Sequence, residues 1–160
     1  MKDLKNAVLA AIDDNWRQFR NSLDRLHVED MSVAGGYEDM SVAGVYEGMS
    51  TNDIVGHITT WEWELVNSLD RGAIEPVGDV DRFNAQESLR KKDNTPRQTL
   101  EQLEDVHRSL RDQLSKAPSA YFEPFDPFRE LIDSCTVLHY QEHGTQIRIW
   151  ASKNSHKPSK

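Results

Sequence analysis

The chain has 160 residues, a formal net charge of −8 and a pI near 5.2, with 29% of its residues charged. That length suits one domain with a single core, and the acidic balance opposes nucleic acid as a partner, since no Lys/Arg cluster interleaves with aromatics. No apolar run approaches the roughly 18 residues of a bilayer span, and the amino-terminal MKDLKNAVLAAIDDNW carries acids where a signal peptide would be apolar. A cytoplasmic protein without a membrane partner is expected. The single cysteine, Cys135, has no internal disulfide partner, in keeping with a reducing compartment.

Leu4, Val8, Ile12, Trp16, Phe19, Leu23 and Leu26 recur at spacings of three and four, which predicts a first amphipathic helix. Residues 28–49 then hold a near-perfect tandem repeat, MSVAGGYED followed by MSVAGVYEG. A nine-residue unit repeated twice cannot build a solenoid, so a duplicated loop or short hairpin is expected. Ser50, with Asp53 three residues on, forms a capping-box signal for a second helix through Ile54, Ile58, Trp61 and Leu65, ending near Gly72. The polar stretch to Asn94, with Pro76, Gly78 and the segment VDRFNAQ, reads as a long crossover containing one helical turn. Thr95 and Pro96 cap a third helix, striped by Leu100, Leu103, His107, Leu110 and Leu114. After Pro118, Pro124 and Pro127, a stripe from Leu131 and Ile132 through Cys135, Leu138, His139, His143, Gln146, Ile147 and Trp150 predicts one continuous fourth helix. The basic tail from residue 152 to 160 is expected to be disordered. The expected fold class is therefore all-α, a four-helix bundle over residues 1–151 with a long crossover between helices 2 and 3.

His139 and His143 stand four residues apart, so their imidazoles project from one helix face and can chelate one ion. His57, on the apolar side of the second helix, completes a triad if its helix and the fourth are neighbours. Three neutral nitrogens leave coordination positions open, unlike a closed structural site, and suit a divalent Zn, Ni, Fe or Co. The plainer reading is a pair of satisfied helix histidines. Trp61, Asn84, Gln146 and Trp150 are candidates for a small-molecule substrate pocket, although aromatics at helical spacing are more often core. Cys135, one turn before His139, is either a reactive thiol or, more commonly, a small buried hydrophobe. His107 reads as a core-edge histidine bonded to a neighbour, and Glu62, Glu64 and Glu142 as surface or outer carboxylates. The usual serine, cysteine, kinase and nicotinamide signatures are missing, so no catalytic residue is assigned.

The segments GVYEGMSTNDIVGHITTWEWEL, DRFNAQ and VLHYQEHGTQIRIW resemble the DinB-like (YfiT-like) four-helix-bundle superfamily over nearly the whole chain. The resemblance implies a divalent metal held by His57, His139 and His143. It also implies an activity of the kind found in thiol-dependent transferases and isomerases, with bacillithiol, mycothiol or glutathione as a low-molecular-weight thiol cofactor. The AGVYEGMS and FNAQ segments resemble the maleylpyruvate-isomerase-like branch and the ClbS/DfsB-type branch about equally, and the latter includes a hydrolase that does not depend on the triad. Met49 stands where the family usually has tryptophan, and the doubled MSVAG loop has no family counterpart. Detoxification by S-transfer, hydrolysis and non-catalytic metal or ligand binding all remain open, and a homodimer joined through apolar positions on helices one and three is expected.

Overall fold

The first helix, α1 (Lys2–Asp24), forms as its stripe dictates and buries Val8, Ile12, Phe19 and Leu23. The computed structural model describes residues 2–37 and 48–154. A 3-10 turn at Val28–Ser32 follows α1 and buries Met31. The first copy of the tandem repeat thus begins in a tight turn and anchors itself at Tyr37, whose hydroxyl lies 2.7 Å from Thr51 Oγ1. The second copy, up to residue 47, lies outside the described residues, and with it the expected loop or hairpin.

Capping chemistry sets the start of α2 (Thr51–Arg71). The Ser50 side chain accepts from the Asp53 amide at 3.2 Å while Asp53 accepts from the Ser50 amide at 2.8 Å, the reciprocal box expected. Gly72 ends the helix at φ 68°, a left-handed conformation that favours glycine. The next segment corrects the expectation of a crossover with one turn: α3 (Val80–Lys91) is a 12-residue helix, capped by Asp79, whose side chain accepts from Arg82 N at 3.1 Å. It buries only Asn84, so it has no apolar stripe by which sequence periodicity could reveal it. The fourth helix in order, α4 (Pro96–Lys116), begins with Thr95 and Gln98 bonded to each other's amides and buries Leu103, His107, Leu110 and Leu114.

A short 3-10 turn at Ser119–Phe122 precedes the last helical stretch, which is not one helix. It breaks at Thr136 (φ −122°, ψ −94°) into α5 (Pro127–Cys135) and α6 (Val137–Asn154). The Thr136 side chain bonds back to Ile132 O at 2.6 Å, which satisfies its buried hydroxyl at the break. Helix α6 runs on through Ser152, Lys153 and Asn154, so the start of the expected disordered tail is helical; residues 155–160 lie outside the description.

Among the described residues the fold is all-helical, and no helix is long and apolar enough to cross a membrane. Helix α1 packs on α6 and α2 on α4, α3 lies along α2, and α5 touches both α2 and α6. A Cβ on Gly144 would stand 3.6 Å from the Phe19 ring and 3.8 Å from Ser22 Oγ, which is how closely α6 approaches α1. The large apolar side chains left exposed, including Trp63, Phe125, Leu138 and Ile149, are not on α1 or α4, where a dimer face had been expected.

One polar cluster lies inside this core. Glu62 is fully buried, correcting its reading as a surface or outer carboxylate. Its Oε1 accepts from the Tyr140 hydroxyl and lies 3.0 Å from His107 Nδ1, and Trp16 stacks on the His107 ring at 3.6 Å. His107 is thus the neighbour-bonded core histidine that its stripe position implied. Burial, with Glu62 alongside, holds the Tyr140 hydroxyl well above its usual range, so it remains a donor. Removing the carboxylate strands two buried partners at about 1–3 kcal/mol each. Glu62→Ala is therefore expected to lower the urea midpoint far more than Glu62→Gln, which keeps an acceptor; equal midpoints would contradict this role.

Candidate metal centre

Helical geometry supplies three imidazoles from two helices. His57 occupies the second turn of α2, while His139 and His143 occupy the first two turns of α6, just past the break at Thr136. The ring centroids form a triangle of 5.0, 5.2 and 5.0 Å, and one ligating atom from each residue lies within 4.8 Å of the others. His143 is fully buried, and His57 and His139 are partly so.

Among the described residues three buried ring nitrogens of the triad have no hydrogen-bond partner: His57 Nε2, His139 Nδ1 and His143 Nε2. For His143 the reason is visible, because its Nδ1–H donates to Gln146 Oε1 at 2.7 Å and leaves the lone pair on Nε2. Burial and the neighbouring His143 and Lys91 pull His57 down to about 3; burial, His143 and His57 pull His139 well below its usual range; burial lowers His143, against the Gln146 hydrogen bond. All three rings are therefore neutral at pH 7 and keep lone pairs available. Buried, unpartnered, neutral and convergent nitrogens are what a divalent borderline ion requires, and these residues fit one.

Beside the triad lies a cleft of about 190 Å³, bounded by His57, Trp61, Asn84, Leu131, Cys135 and His139, among others. Trp61 and Asn84 both line this cleft, joined by a bond from Trp61 Nε1 to Asn84 Oδ1 at 2.9 Å. Gln146 is not among the residues of the cleft and instead accepts the hydrogen bond from His143 Nδ1. Trp150 is not brought to the cleft: its Nε1 donates to Gly35 O at 3.2 Å and its ring stacks on Tyr37. A Cβ on Gly36 (φ 93°) would come within 2.4 Å of that ring, so the loop packs directly on it. Burial pushes the Cys135 thiol up to about 12, which makes it a small packed side chain rather than a thiolate.

Lys91 is a residue that sequence reasoning missed. It comes from α3, reaches Gly56 O at 3.0 Å and Thr60 Oγ1 at 2.6 Å, and so straddles the α2 turn that carries His57. No motif marks it, and only recognition of α3 as a helix lying on α2 would have found it.

No protein-family model matches the chain, and no curated protein matches it. Among solved structures it is similar to an uncharacterised protein from Escherichia coli UTI89, with a TM-score of 0.76 and 17% identity over 94% of each chain. At that identity the likeness is one of fold.

The lowered imidazole pKa values make a stability prediction for the chelator-treated protein. Unfolded histidines take up protons as pH falls through about 6.5, while these three, with lower folded pKa values, do not, so the unfolded state binds more protons. Stability present above that pH is lost as pH falls. The urea midpoint is expected to drop between pH 7.5 and 5, and to drop less in His57→Leu/His139→Leu; an equal drop in both proteins would contradict neutral, buried imidazoles.

Proposed function

We propose that this chain is a DinB-like protein in which α1, α2, α4 and the broken α5–α6 pair form a four-helix bundle, with α3 in the crossover. In this reading His57, His139 and His143 hold one divalent ion, Zn, Ni, Fe or Co. The protein is a metal-dependent thiol S-transferase or isomerase acting on small electrophiles. The observation that carries the proposal is a cluster of three histidines with ligating atoms within 4.8 Å of one another, each of which has a buried ring nitrogen without a partner among the described residues. The pairing of α1 with α6 and α2 with α4 supports the bundle.

A bound divalent ion supplies positive charge that favours the deprotonated form of a thiol or water at neutral pH. The chain's own residues do the remainder. Gln146 holds His143 in the tautomer whose Nε2 faces the centre. Trp61 and Leu131 give the cleft apolar walls that limit competing water, and Asn84 fixes the indole of Trp61.

A thiol cofactor is favoured over hydrolysis because no described carboxylate lines the 190 Å³ cleft to take a proton from water, and Asp53 and Glu87, which border the small cavity that shares His57 and Asn84 with it, are engaged by Ser50 and Arg90. Cys135, protonated and buried, does not supply the sulfur, so the thiol comes from outside: bacillithiol, mycothiol or glutathione.

The test is turnover of an activated aryl halide by metal-loaded protein with each thiol. Conversion that requires a thiol and falls at least 100-fold in His143→Ala is expected. Conversion of substrates without thiol would favour the hydrolase, and no conversion under any condition would leave a metal or ligand binder. Separately, Gln146→Leu is expected to weaken metal binding about 10–100-fold in competition with a chelator, the range for losing such an orienting partner. Unchanged affinity would contradict its role.

A further inference from the structure

Asn84 anchors Trp61 with one end of its amide and leaves the other end unused. An indole N–H can only donate, so the atom that meets Trp61 Nε1 at 2.9 Å is Asn84 Oδ1, which fixes the other end of the amide as nitrogen. Asn84 Nδ2 has no partner among the described residues, although the residue is only 7% exposed. A donor so placed is uncommon in a folded protein. Asn84 borders both the 190 Å³ cleft and a cavity of about 20 Å³ that has room for roughly one water molecule. Nδ2 carries two N–H groups, so a water in the small cavity that accepts one leaves the second unmet.

The rest of the cleft sets size and charge. Trp61, Leu131 and the half-exposed Val80 give it apolar walls, and among the described residues no Asp, Glu, Lys or Arg lines it. A charged ligand would find no countercharge on those side chains. An apolar cavity of about 150 Å³ accepts benzene, so this cleft suits one ring with a short substituent. The indole of Trp61 is held in advance, by Asn84 and by edge contact with the Phe83 ring at 5.3 Å, which lowers the cost of ordering a ligand against it.

We propose that the cleft takes an uncharged carbonyl compound about one ring in size, its oxygen accepting from Asn84 Nδ2 and its apolar body lying against Trp61 and Leu131. This names the substrate class of the proposed function and rests on it for casting the molecule as the electrophile; the binding itself needs no ion. The N–H meets the oxygen that draws electrons from the reacting carbon, so recognition and polarisation fall on one atom.

The test titrates chelator-treated, isotope-labelled full chain with acetophenone, with α-methylstyrene, which replaces the carbonyl oxygen by CH2, and with benzoate. Saturable shifts of the Trp61 indole N–H and the Asn84 side-chain amide are expected with acetophenone, and benzoate should bind at least tenfold more weakly. Asn84→Asp keeps an acceptor for Trp61 but removes both N–H donors. It should weaken acetophenone at least tenfold relative to α-methylstyrene, and Asn84→Leu should shift that ratio in the same direction, with thermal melts establishing that both variants fold. An unchanged ratio, benzoate binding as tightly as acetophenone, or no saturable shift would overturn the site. Metal content is measured on the same preparations before chelation. A parent that binds acetophenone but takes no metal would retire the metal centre and leave this site standing, whereas metal uptake without acetophenone binding would do the reverse.

Discussion

A buried imidazole nitrogen without a hydrogen-bond partner costs the fold about 1–3 kcal/mol, and among the described residues each of three histidines whose ligating atoms lie within 4.8 Å of one another carries one. The local structure around them serves that convergence. The Ser50–Asp53 box fixes where α2 begins and thereby the phase of His57. The break at Thr136 releases α6 from the direction of α5, and Gly144, between the turns of the histidine pair and the rest of α6, allows the helix to lie close on α1. Gln146 then spends its carbonyl on His143 alone.

The Glu62 cluster gives the contrast that makes this meaningful. Within the same core Glu62 Oε1 meets both Tyr140 and His107, and Trp16 covers the histidine, although Glu62 Oε2 is itself buried without a partner among the described residues. The chain therefore has the means to partner a buried imidazole where the role is structural. At the triad the nitrogens face each other instead, and desolvation keeps all three neutral. The two clusters use different faces of α2 and α6: Glu62 and Tyr140 are offset from His57 and His139 by roughly 140° and 100° of helical rotation.

Features governed by local rules were legible in the sequence. The capping box at Ser50, the Thr95 N-cap with Pro96 behind it, the Gly72 terminus and the shared face of His139 and His143 all follow from spacing over a few residues, and each is present. What escaped depends on partners distant in sequence. Helix α3 buries one residue and so carries no stripe, and its role appears only when Lys91 meets α2. The apolar pattern runs straight through Thr136, so periodicity could not show the break. Glu62 has the composition of a surface residue and is buried because His107 and Tyr140, 45 and 78 residues away, are there to meet it. Trp150 has the phase of a site residue, yet the glycines at 35 and 36 let the preceding loop close over it.

Cobalt(II) titration of the chelator-treated protein, followed by its visible ligand-field absorption, tests the central claim most directly. The account predicts saturation at one equivalent in the parent and loss of that absorption in His57→Ala, His139→Ala and His143→Ala, each still folded. A parent that develops no such absorption, or one whose absorption survives all three substitutions, would contradict a metal centre built on these histidines.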